Sequence, residues 1–244
     1  MRFCVFATAS VPDVVTARRV HGLDDLDDKA VSKVLFHQRK QQTGNSEDLR
    51  WDQRMLAGMT MIQHSVDTMH ITSHTFATDN ESETLQNYFA AALRNGCMVS
   101  WNGVALEVPM IHFRSLQGRI SVPAYWQAVR ERADFHVSLC DLIAPPVGDR
   151  PSLDTTARKL GFPGMLGVGE GDVYAAWLQQ EPAKVQAYSD LAALNTYLLA
   201  LQFFSMTGQV SRHDTERVHV RLRDELRRRE MSHFGDFAAA WRRD

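Results

Sequence analysis

The sequence predicts an α/β domain in which a central mixed β-sheet is flanked by helices. Three observations lead there: three β-prone apolar segments before residue 76, one more short apolar segment after an amphipathic helix, and helical periodicity through most of the C-terminal half. With 244 residues, 44% of them hydrophobic, the chain has material for a substantial core. Residues 1–244 read as one domain, with a core over about 1–206 and a helical C-terminal extension over about 212–244.

The elements follow in order. Residues 2 to 8 are apolar and β-prone, and Pro12-Asp13 ends that strand before a helical stretch of roughly 14 to 21. A second helix over Asp27 to Gln42 carries Val31, Val34 and Leu35 on one face and breaks at Thr43-Gly44-Asn45-Ser46. Met55 to Ile62 and Thr68 to Thr75 read as antiparallel strands joined by a polar turn at His64 to Asp67. Asn80 or Ser82 caps an amphipathic helix that Asn95-Gly96 ends, and the strand Cys97 to Trp101 follows. Asn102-Gly103 turns the chain into a helix of about Glu107 to Gln117. Further helices are expected near 151–160, 172–179, 183–206 and 213–230, before a terminal piece ending in Trp241.

Composition narrows the function classes. There is no internal repeat, low-complexity tract or long linker, and no run approaches the length that spans a bilayer. The N-terminus lacks a basic stretch followed by an uninterrupted apolar segment, so the expectation is a soluble, cytoplasmic protein without membrane attachment. Cys4, Cys97 and Cys140 stand singly in apolar segments and read as buried core residues rather than zinc ligands or disulfides. A formal net charge of −2 gives no global pull on nucleic acid, so such binding needs a local patch.

Several segments then carry a resemblance. The opening strand Val5-Phe6-Ala7-Thr8-Ala9-Ser10-Val11-Pro12-Asp13, Thr43-Gly44-Asn45-Ser46-Glu47, Val99-Ser100-Trp101-Asn102-Gly103, Leu160-Gly161-Phe162-Pro163-Gly164, Leu194-Asn195-Thr196-Tyr197 and the stretch His233 to Trp241 are similar to successive motifs of one family. These are the predicted 3'-5' exonucleases related to the proofreading domain of family-B DNA polymerases. The resemblance implies a ribonuclease H-like exonuclease fold. In the family's tyrosine-type active members it also implies four carboxylates that hold two divalent cations, one activating water and the other stabilising the leaving oxygen. Hard cations such as Mg²⁺ and Mn²⁺ need such oxygen donors.

This chain departs from that pattern. The first-strand V-F-D-I-E-T-V-P-D of the family puts its Asp and Glu on Ala7 and Ala9, its N-G-x-x-F-D segment puts an Asp on Glu107, and its Y-x-x-x-D helix puts the last Asp on Ala192 while keeping Tyr188. Asp190 lies two residues early, about 200° around a helix, and should face away. Ser138 stands where the family has another Asp, and Asp141 reads as a capping or hydrogen-bonding residue. No catalytic residue, metal site or cofactor is therefore expected, with Mg²⁺ or Mn²⁺ relevant only to residual activity. Glu107 reads as a charge favourable to a helix start.

Binding is the function that remains open. Trp101, Asn102, Arg54, Arg114 and Tyr188 are the candidate contacts for single-stranded DNA or RNA, as stacking faces and phosphate partners. The competing reading of Trp101 is core packing, with Asn102-Gly103 only a turn. The basic stretch Arg217 to Arg229 reads as a solvated helix face with Val218, Leu222 and Leu226 inward, and the glycine-rich Gly164 to Gly171 as a flexible connection. His64, His70 and His74 read as exposed hairpin residues. Three functions stand: a pseudo-exonuclease binding single strands, a structural or regulatory subunit with a protein partner or a second copy, and a residual metal-dependent exonuclease.

Overall fold

A computed structural model describes residues 1–65, 67–76, 80–144 and 150–242. The sheet is built on β1 (Phe3–Pro12), flanked by β2 (Arg54–His64) and β4 (Met98–Ser100), with β3 (Met69–Thr75) and β5 (His136–Ser138) outermost. The order is β3-β2-β1-β4-β5. The β1–β2 and β2–β3 pairs run antiparallel, whereas β1–β4 and β4–β5 run parallel, so the sheet is mixed as the sequence predicts.

Alternation along β1 sets the two layers. Phe3, Val5 and Ala7 face a core shared with α9 (Pro182–Met206), which also takes in α7 (Leu153–Lys159), α10 (Arg212–Arg228) and α11 (Ser232–Ala240). Cys4 and Phe6 face the opposite core, built with α3 (Glu81–Asn95), α4 (Glu107–Gln117) and α5 (Pro123–Glu131). A third cluster around Ala9 and Val11 packs α1 (Val14–His21), α2 (Asp28–Thr43) and α8 (Glu170–Leu178) at the far end of the strand. Because α9 is buried on nearly every side from Ser189 to Leu201, its sequence is apolar all round instead of striped.

Local chemistry places the ends. Asn80 accepts a hydrogen bond from the Glu83 amide, and Gly96 closes α3 at φ 67°, the left-handed conformation glycine adopts freely. Pro123 begins α5, which with β5 and the short α6 (Leu139–Ile143) goes beyond the elements the sequence indicates. All three cysteines are buried and free. His64 and His74 depart from their expected exposure: His74 is buried in β3, and His64 is 4% exposed, stacked on Phe3 at 4.5 Å and hydrogen-bonded through Nδ1 to the Tyr197 hydroxyl at 2.8 Å. Burial pushes its pKa down to about 4. Among the described residues no helix is long and apolar enough to cross a membrane.

Candidate functional site

Where β1, the start of α4 and the middle of α9 meet, the fold leaves a cleft of about 800 Å³. Ala7, Thr8, Glu107, Tyr188 and Ala192 line its floor, with Trp101 and Asn102 from the turn after β4. Arg150 to Asp154, Arg158 and the Pro163 to Glu170 loop form the facing wall. Three of the four sequence positions singled out for carboxylates thus come together with Tyr188. Ala9 does not line the cleft: it is fully buried beside Val173 and Val185.

Glu107 opens α4, and its Oε1 accepts from the Thr8 amide at 2.9 Å and the Thr8 hydroxyl at 3.2 Å. The carboxylate therefore ties the start of α4 to the central strand. Burial, reinforced by the nearby charge of Glu170, pushes its pKa up to about 7 against the pull of the two Thr8 hydrogen bonds. Tyr188 is also pushed well above its usual value, by burial and then by Glu170 and Glu107, so these three side chains share one corner. The Asn102-Gly103 turn is built for close approach, since a Cβ at Gly103 would lie 2.2 Å from Ser100 Oγ and 3.0 Å from Glu107 Oε2. Within that turn the Asn102 Oδ1 is buried without a hydrogen-bond partner.

The other predicted contacts separate. Trp101 lines the cleft and also packs on the core around α9. Arg54 sits behind the rim, donating to Leu49 O at 3.0 Å and Ser10 Oγ at 3.2 Å, with Glu170 at 3.6 Å. Arg114, expected at the cleft, is instead half-buried away from it and held between Asp13 and Glu81, with bonds of 2.8 and 2.5 Å to Glu81. Asp190 faces away as expected, and is fully buried. It accepts from Thr60 at 2.7 Å and Ser73 at 2.5 Å and pairs with His233 at 2.9 Å. Asp141 pairs with Arg150, in keeping with a hydrogen-bonding role.

The sequence reading missed the wall. Its loop is no loose connection, because Asn195 on α9 accepts from the Gly164 amide at 3.0 Å and donates to the Gly164 carbonyl at 2.8 Å. The Met165 amide donates to Asp154 at 2.8 Å. The pair Asn195 and Gly164 joins two motifs that the sequence shows 31 positions apart. Arg150 and Arg158 are the cations this wall brings to the cleft, each held by an acid, Asp141 and Asp154 respectively.

The donor set does not fit a two-cation centre. Among the described residues no three His, Cys, Asp or Glu side chains group closely enough to hold a metal ion, and Glu107 already spends one oxygen on Thr8.

No curated protein matches the chain. The family described as predicted 3'-5' exonucleases related to the exonuclease domain of PolB matches residues 50–241, most of the chain and everything from β2 to the end of α11. β1, with Ala7 and Ala9, precedes the matched segment, and its pairing with β2 and β4 is what places it in the same sheet. The mixed five-stranded sheet with helices on both faces agrees with that match, and the chain belongs to this exonuclease family.

Proposed function

We propose that this protein is a non-cleaving member of its family, a pseudo-exonuclease that holds a single-stranded DNA or RNA end in the cleft. The observation that carries the reading is the cleft floor, where Ala7 and Ala192 offer methyl groups and Glu107 is bound to Thr8. Neutral methyl groups neither coordinate a cation nor concentrate one against phosphate. What remains suits binding: Trp101 and Tyr188 offer aromatic faces, and Arg150 and Arg158 offer cations on the wall. A residual metal-dependent exonuclease would need oxygen donors beyond those on the floor.

A second reading, a structural or regulatory subunit that binds another protein or a second copy, is favoured by the charge balance of the cleft. Its lining carries Glu107, Asp154 and Glu170 against Arg150 and Arg158, which gives no net attraction for a polyanion. Leu142 and Ile143, on the same short helix as the lining residue Cys140, add exposed apolar surface. Fluorescence anisotropy with labelled single-stranded DNA and RNA across a salt series separates the readings. Salt-sensitive binding that weakens in Trp101→Ala supports the pseudo-exonuclease. Absence of binding at low salt together with a stable oligomer on sedimentation supports the subunit.

A further inference from the structure

Two helices carry exposed basic side chains in different ways. On α10 the arginines are answered along the helix: Arg212 meets Glu216, Arg217 meets Asp214, Arg227 meets Asp224 and Arg229 meets Glu225. On α2, Lys29, Lys33, His37 and Lys40 recur at four, four and three residues, within about 80° of arc on one face. All four are exposed, while Val31, Ser32 and Leu35 on the opposite side are buried. No acid stands on that face. Asp28 is held by Arg18 of α1 at 2.7 Å, and Asp24, Asp25 and Asp27 gather before the helix, where Asp27 caps it. Among the described residues Lys29 and Lys33 make no ion pair, and Lys40 meets Glu47 at 3.1 Å in an exposed pair of little strength. Like charges four residues apart weaken a helix, so folding alone does not call for this face.

We propose that the lysine face of α2 binds the phosphodiester backbone of a single strand and supplies the attraction that the charge-balanced cleft lacks. Lysines four residues apart rise about 6 Å along the axis, close to the interval between successive phosphates of an extended strand. An ammonium on a flexible stem meets a phosphate as a point charge, without reading the base. One helix joins this face to the cleft: Phe36 packs edge-on to Tyr174 at 5.6 Å in α8, whose first residue, Glu170, lines the cleft. A strand whose end sits in the cleft runs on along α2, which rests on the nucleic-acid reading of that cleft. α2 ends before residue 50 and so lies outside the family match.

The test is a salt series of fluorescence anisotropy with labelled single-stranded DNA, on the natural protein and three variants. The Lys29→Gln, Lys33→Gln, Lys40→Gln triple variant keeps residues that favour a helix. It should bind more weakly, and its slope of log affinity on log salt should be shallower by about 2, three charges at about 0.7 each. The Arg212→Gln, Arg217→Gln, Arg227→Gln variant removes as many charges from the paired arginines of α10 and should leave the slope unchanged. Trp101→Ala should weaken binding with the slope intact. A lysine variant with the natural slope, or an equal drop in the α10 variant, overturns the α2 surface, and the cleft reading then stands or falls on Trp101→Ala alone. A drop confined to the lysine variant, with Trp101→Ala unchanged, supports the surface and overturns the cleft reading. Tighter capture of polyglutamate than of DNA of equal charge, lost in the lysine variant, would make the partner an acidic protein and overturn the phosphodiester assignment. No binding of any strand at low salt overturns the nucleic-acid reading and the surface with it.

Discussion

Replacing Glu107 by Gln removes a charge while keeping the side chain's shape and its ability to accept from Thr8. The carboxyl titrates near 7 in the folded protein because burial outweighs its hydrogen bonds, against an ordinary value of 4.5. Between those values the folded state binds more protons than the unfolded one, so the stabilising term is fully present below pH 4.5 and is lost as pH rises through 7. The interval of 2.5 pH units sets a ceiling of about 3.4 kcal/mol, of which about 2.5 kcal/mol falls between pH 5 and pH 8. Glu107→Gln has no such titration. Urea unfolding of both proteins at the two pH values should therefore show the variant gaining on wild type by about 2.5 kcal/mol on going to pH 8. Other titrating groups cancel in that difference. A stability difference that is the same at both pH values would refute the claim that Glu107 is desolvated and bound to Thr8.

Other perturbations test other parts of the fold. His64 has a lowered pKa, so its contribution is present above 6.5 and lost as pH falls toward 4. His64→Phe should flatten the acid side of the stability profile, and an unchanged slope would contradict the buried stacking on Phe3. Arg114→Ala strands Asp13 and Glu81 and should cost about 3–5 kcal/mol in denaturant unfolding while leaving oligonucleotide affinity unchanged. Asn195→Ala frees both backbone groups of Gly164 and should cost about 2–3 kcal/mol, with faster hydrogen exchange at the Gly164 amide. Arg229 donates to the edge strand β3 at Ile71 O, and Arg221 to the turn before it at Asp67 O. The Arg221→Ala, Arg229→Ala double variant should associate with rising concentration on sedimentation, and a strict monomer would show that the edge is guarded by other means.

Local signals in the sequence carried far into the structure. The Asn80 and Gly96 caps, the apolar run of β1 and the inward face of Val218, Leu222 and Leu226 on α10 each follow from the residues within one element. So does the direction of Asp190, which helical geometry alone turns away from Ala192. The basic face of α10 is largely occupied by internal partners, among them Glu225 on Arg229 and the Trp241 ring under Arg223.

What stayed illegible depends on contacts between distant segments. The partners of Arg114 lie on the loop before α1 and on α3, so its charge looked available when it was not. His64 looked like part of a polar turn, because its burial comes from Phe3 and Tyr197. The wall of the cleft was hidden for the same reason: glycine richness suggested a loose segment, whereas one amide on α9 fixes it. β5 and α6 together span only His136 to Ile143, too short for periodicity to register.

A non-cleaving cleft holds a strand and leaves its length unchanged. End-labelled single-stranded DNA and RNA incubated with the purified protein in Mg²⁺ and, separately, Mn²⁺ test it most directly, with shortening followed from the 3' end beside a Glu107→Ala control. The account predicts strands of unchanged length in every lane. Progressive 3' shortening by the natural protein that disappears in Glu107→Ala would contradict it and make Glu107 a metal ligand.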